Sequence, residues 1–175
     1  MIITNKDFRK EFDKLTLYLK SNYDLLDTTP DRRLEISCML SFPGHQIFNS
    51  WNNPNLLANW WTPDEAVATF HQFEFQNNGA WNFTLHAKGG KTNFNFQFVK
   101  INVNELVSWK DVDNPANLYN FKIHYSEPNK SKVSYEVIFS SIDECEKLTS
   151  SATKSISASI SLLEEELRRP SNWQV

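Results

Sequence analysis

The chain has 175 residues, enough for one domain with a sizeable core. Hydrophobic residues make up 40% and charged residues 22%, as in ordinary globular proteins, and the net charge of −3 lacks the basic footprint of a nucleic-acid binder. No apolar run approaches the roughly 20 residues that a membrane span needs.

Thr4 can cap a first helix over residues 4–20, with Phe8, Phe12, Leu15 and Leu19 forming one apolar stripe. The N-terminus lacks a basic segment followed by an apolar one, so no signal peptide is expected. Cys38 and Cys145 are far apart and fit neither a CxxC nor a metal spacing, which suits reduced thiols in a cytoplasmic protein. The helical stripe packs on the protein's own sheet or offers a homodimer surface. Residues 21–31 read as a linker closed by Pro30. The main domain then runs over 32–169, with 170–175 as a tail.

Leu34, Ile36, Cys38 and Leu40 alternate with polar residues as a strand. Pro43 opens a short helix through Phe48 and Trp51, and Asn53-Pro54 separates it from a second, NLLANWW. From residue 66 to about 140 the period changes to two. Phe73 and Phe75, then Trp81, Phe83 and Leu85, then Phe94, Phe96 and Phe98 alternate with polar partners. Asn77-Asn78-Gly79 and Lys88-Gly89-Gly90 are turn signals, because Asn and Gly tolerate positive φ. Beyond Phe98 the apolar parity changes to Val99, Ile101 and Val103, which predicts a bulge near Val99. Val107 and Trp109 mark a shorter strand. Tyr119, Phe121, Ile123 and Tyr125, then Val133, Tyr135, Val137 and Phe139, complete an antiparallel meander. A last helix over 143–169 carries Leu148, Ala152, Ile156, Ile160, Leu163 and Leu167 on one stripe and stops at Pro170. The expected fold is α+β. A curved antiparallel sheet of about six to seven strands wraps around the long C-terminal helix, with two short helices after the first strand.

This order of elements resembles the SRPBCC superfamily, also called START-like or birch-pollen-allergen-like. Within it the chain resembles homologues of the activator of heat shock protein 90 ATPase. The resemblance rests on IFNSWNNPNLLANWWTPDE (47–65), GAWNFTLHAKGG (79–90) and FNFQFVKINVNELVSW (94–109), and covers roughly 32–169. The hairpin has a single glycine, Gly79, where the family often has two. Val103-Asn104-Glu105-Leu106 replaces the family's Pro-Pro-Glu-Arg stretch. The resemblance implies a helix-grip fold with a deep cavity between sheet and helix. It implies binding of a small hydrophobic molecule, with a polyketide cyclase or aromatase-like enzyme and a chaperone contact as alternatives.

The residues themselves propose walls for such a cavity. Trp81, Phe83, Phe94, Phe96, Tyr119, Phe121 and Tyr135 should converge on one sheet face, opposite a Ser- and Ala-rich helix that carries Ile156. Trp61 either packs the short helices or caps a guest. His71 shares parity with Phe73 and Phe75 and is expected on the same apolar face. The competing reading is a solid core. No HExxH, G-x-S-x-G or phosphate-binding glycine loop occurs, so no metal, cofactor or catalytic triad is expected. An enzymatic role would have to draw on His71, Glu74, Tyr119 or Tyr135. Glu164, Glu165 and Glu166, spaced three and four from Arg168 and Arg169, read as helix-surface pairs.

Overall fold

A computed structural model describes residues 23–26, 32–62 and 66–169. The expected helix over 4–20 and the tail 170–175 lie outside them. The elements run β1 (Tyr23–Leu26), β2 (Arg33–Leu40), α1 (Gly44–Asn52), α2 (Pro54–Trp61), β3 (Val67–Phe73), β4 (Ala80–Ala87), β5 (Gly90–Asn102), β6 (Leu106–Asp111), β7 (Leu118–Glu127), β8 (Lys130–Ile138) and α3 (Ile142–Leu167). The eight strands form one antiparallel sheet in the order β1-β2-β8-β7-β6-β5-β4-β3. The strand count exceeds the expected six to seven because Tyr23–Leu26, read as linker, pairs with Cys38–Glu35 of β2.

The connections explain this order. The α1–α2 pair carries the chain from β2 to the opposite edge at β3. Five successive antiparallel pairings then walk back until β8 lies beside β2. Short hairpin turns suffice for neighbours of this kind. At the β3–β4 turn, Asn78 takes φ 62°. A Cβ on Gly79 would sit 2.1 Å from the Glu74 carbonyl oxygen, so only glycine fits there. The helix ends are capped as their sequences dictate. The Asn53 side chain accepts from the amides of Asn55 (2.9 Å) and Leu56 (3.4 Å), with Pro54 opening α2. The Ser141 hydroxyl accepts from the Glu144 amide at 3.1 Å to start α3.

The expected bulge is present. Phe98 pairs with Trp109 and Lys100 with Ser108, leaving Val99 as the extra residue. The bulge returns Ile101, opposite buried Val107, to the inner face. A second register shift, between Phe70 and Gln72, falls on His71.

The inner face holds the core. Its centre is Trp51, fully buried and packed against Trp109 (ring centroids 4.9 Å apart), Trp60 (5.0 Å), Phe121 (5.3 Å) and Trp81 (6.4 Å). The C-terminal half of α3 closes this core with Ile156, Ile160, Leu163 and Leu167, and the helix packs on α1, α2 and β2. Its N-terminal half differs, since Leu148 and Ala152 are only half-buried.

The other face of the sheet carries a buried carboxylate. Glu136 on β8 accepts from Asn120 (2.7 Å) and Lys122 (2.9 Å) on β7, and Arg33 on β2 lies 3.3 Å away. Burial pushes this carboxyl up. Donation from Lys122 and Asn120, with the charges of Lys122 and Arg33, outweighs that and holds it below its ordinary value of 4.5. A lowered carboxyl stabilises the folded state above pH 4.5, and that contribution is lost as pH falls through the folded-state pKa. Urea midpoints measured from pH 6 down to pH 3 should therefore fall less steeply in Glu136→Gln than in the parent. Parallel curves for the two proteins would refute the linkage.

Candidate functional site

Where α3 stands off the sheet, a cavity of about 390 Å³ opens. Three strand groups form its floor. Leu85 and Phe94 come from the β4–β5 hairpin, Phe96 and Trp109 from β5 and β6, and Tyr119, Tyr135 and Val137 from β7 and β8. Its roof is the stretch of α3 from Leu148 to Ser159, through Leu148, Ser151, Ala152, Ser155, Ile156 and Ser159. Trp61 closes one side. This ring packs edge-on against Trp81 (5.0 Å), Phe83 (5.5 Å) and Phe96 (5.8 Å), and so stands between the solid core and the empty space.

One end of the cavity is polar. The Asn117 side chain donates to Glu144 Oε1 at 3.1 Å and accepts from the Ser140 amide at 2.7 Å. The Ser140 hydroxyl donates to the other Glu144 oxygen. These bonds hold Asn117 beside Tyr119. Trp61 and Tyr135 share the cavity lining. Burial is the main reason both phenols are held above the ordinary tyrosine range. Asp111 and Glu144 push Tyr119 up further, Tyr119 does the same to Tyr135, and the neighbouring Asn117 amide and Trp61 indole oppose the rise. Both phenols are therefore neutral hydroxyls at physiological pH.

The helix presents its hydroxyls in two rows. Thr149, Thr153, Ser157 and Ser161 donate back to carbonyls one turn earlier, at 2.6–3.1 Å, and are satisfied within the helix. Ser151, Ser155 and Ser159 form the cavity row. Ser151 donates to Leu148 O at 2.9 Å. Trp109 also lines the cavity, and its buried indole N–H has no partner among the described residues.

Six of the expected wall residues meet here: Trp61, Phe94, Phe96, Tyr119, Tyr135 and Ile156. Trp81, Phe83 and Phe121 share their face but belong to the solid core, each with no more than 1% of its surface exposed. Their side chains are covered by rings from α1 and α2, chiefly Trp51 and Trp61. His71 is a correction. The β3 bulge falls on it, so Phe70 and Phe73 face inward while His71 is exposed, 2.7 Å from the Thr84 hydroxyl. Glu74 is exposed in the β3–β4 hairpin, bonded to Gln72 and to the Ala80 amide. Leu85, Trp109, Asn117, Val137, Phe139 and Leu148 line the cavity without having been singled out. Leu85, Val137 and Phe139 carried a usable signal, since they alternate in step with Phe83 and Tyr135 among the expected wall residues. Asn117 carried none, because it precedes its strand and is placed by tertiary contacts. Among the described residues no group of His, Cys, Asp and Glu could hold a metal ion. No helix among them is long and apolar enough to cross a membrane.

A long helix held against a curved sheet, with a cavity between, defines the helix-grip class. The family model for "Activator of Hsp90 ATPase homolog 1-like protein" matches residues 41–168, and the chain belongs to that family, within the SRPBCC superfamily. Comparison with curated proteins finds no match. Among solved structures, the chain is similar to a protein from Arthrobacter aurescens (TM-score 0.74, 19% identity, 85% of this chain and 93% of that one covered). It is also similar to a Mycobacterium smegmatis protein (TM-score 0.72, 16% identity, 82% and 96% covered). An AHSA1-like protein from Aeromonas hydrophila matches with TM-score 0.62 and 14% identity, over 77% and 92% of the two chains. At these identities the likeness is one of fold.

Proposed function

We propose that the protein binds a small hydrophobic or amphipathic molecule between the sheet and α3. The observation that carries this reading is the cavity of about 390 Å³. Close-packed interiors leave few voids larger than a water molecule. This one falls in the size class of ligand pockets, roughly 300–1,000 Å³. Its lining is that of a pocket too: rings and aliphatic side chains, with a few fixed polar groups at one end. Folds of this kind commonly bind hydrophobic ligands. Each 100 Å² of apolar guest surface removed from water would contribute about 2.5 kcal/mol, before the costs of ordering.

Native mass spectrometry of protein purified without denaturant tests the reading. A mass increment that disappears on denaturation is expected. A strictly apo mass, together with no thermal shift across a library of lipids and aromatic compounds, would sink it.

The polyketide cyclase or aromatase-like alternative needs an acid or base at the guest. The two cavity phenols can donate protons or hydrogen bonds, but with their pKa values raised they are poor bases at neutral pH. The chaperone reading rests on the family's name, and stimulation of a heat shock protein 90 ATPase would be its signature.

A further inference from the structure

The polar end of the cavity constrains the chemistry of the guest. Resting on the binding reading above, we propose that the pocket selects a guest carrying a neutral hydrogen-bond-accepting oxygen, such as a ketone or ester carbonyl, and rejects a carboxylate on the same skeleton.

Four observations converge on this. First, none of the residues lining the cavity carries a charge; the polar ones are Asn117, the tyrosines, the indoles and the serines. An anion moved there from water would lose its hydration with no cation to replace it. Second, carboxylates flank the polar end. Glu144 lies behind Asn117, bonded to it at 3.1 Å, and both Glu144 and Asp111 act on Tyr119. Third, the one positive feature of the protein's backbone at this end, the N-terminus of α3, is already answered by its own groups. Ser141 caps it, and Asp143 and Glu144 occupy its first turn. Fourth, the lining offers neutral donors in the phenols of Tyr119 and Tyr135. A phenol O–H can donate to a guest oxygen, and the Asn117 amide, already bonded to Glu144 and Ser140, is fixed beside Tyr119. Both phenols belong to the cavity lining, where a guest oxygen can meet their O–H groups. A carbonyl meets those donors without bringing charge. A carboxylate would meet them too, but in a site whose surrounding field is negative.

Three probes with one ring system separate the parts of the argument: 2-acetylnaphthalene (neutral acceptor), 2-naphthoate (anion) and 2-ethylnaphthalene (no acceptor). Dissociation constants are measured by calorimetry at pH 7.5. The ketone is expected to bind tightest, with the carboxylate at least about tenfold weaker. In the double variant Tyr119→Phe/Tyr135→Phe the ketone should lose at least about fivefold, while 2-ethylnaphthalene changes little. In Ser151→Lys, which adds a cation at an exposed lining position, the deficit of the carboxylate should narrow. Equal or tighter binding of 2-naphthoate in the parent protein would overturn the exclusion of anions. Equal binding of ketone and hydrocarbon would overturn the selection of an acceptor. In both cases the pocket itself would stand. Failure of all three probes to bind would instead remove the binding reading and this inference with it.

Discussion

Trp51→Ala should cost about 3–5 kcal/mol of folding free energy, the range for deleting a large buried aromatic side chain. That is a large share of the roughly 5–15 kcal/mol available to a domain. Trp51 has none of its surface exposed, and four rings from four different elements surround it. Trp60 belongs to the second helix, Trp81 and Trp109 to strands β4 and β6, and Phe121 to β7. Few of these neighbours can collapse into the vacated space without losing their other contacts, so most of the cavity cost persists. Urea unfolding followed by circular dichroism reads the effect. A loss below about 1 kcal/mol would mean that the surrounding rings repack freely, contrary to the packing described above. Trp60→Phe offers a milder comparison, because it keeps a ring and gives up only part of the buried volume and the weak N–H donation to Ser50 O at 3.5 Å.

The second large effect is on binding and should leave the fold intact. Ala152 sits on the roof of the cavity, half-buried, with no hydrogen bond to lose. In Ala152→Trp an indole fills space that a guest would occupy. Affinity for any cavity ligand should drop about tenfold or more, a change of about 1.4 kcal/mol per decade. The apo protein should keep its thermal midpoint or gain slightly, since the new ring buries apolar area for a small loss of helix propensity. Trp51→Ala and Ala152→Trp thus give opposite signatures: lost stability in the first, lost binding with preserved stability in the second. Unchanged affinity in Ala152→Trp would place the guest somewhere other than this cavity.

Much of this molecule follows from its residue pattern. Period-two alternation placed Leu34 to Leu40, Trp81 to Leu85, Phe94 to Phe98 and Val133 to Phe139 on one face, because successive strand side chains point to opposite sides of a sheet. The parity change beyond Phe98 announced the Val99 bulge, since an inserted residue is the way a strand changes which parity faces inward. Pro43, the Asn53-Pro54 pair and the stripe from Leu148 to Leu167 marked the helices through local chemistry that acts within one or two turns.

Other features required the tertiary structure. The strand Tyr23–Leu26 has a short, mixed sequence and takes its conformation from pairing with β2. His71 broke the parity rule because the β3 bulge falls on it, between the inward-facing Phe70 and Phe73. The division of the aromatic face was the largest of these decisions. Alternation says which side of the sheet a ring occupies, but not what stands above it. Trp81, Phe83 and Phe121 lie beneath Trp51, Trp60 and Trp61 of the two short helices and became core. Phe94, Tyr119 and Tyr135 lie beneath the stretch of α3 that stands off the sheet and became cavity wall. Asn117 reached the cavity through bonds to Ser140 and Glu144, more than 20 residues away in the chain. The sequence by itself therefore determined the grip and the face that does the gripping, because those depend on local periodicity. Where the grip is filled and where it is hollow depended on how two short helices and one long helix share that face, and that is settled by packing between segments distant in the chain.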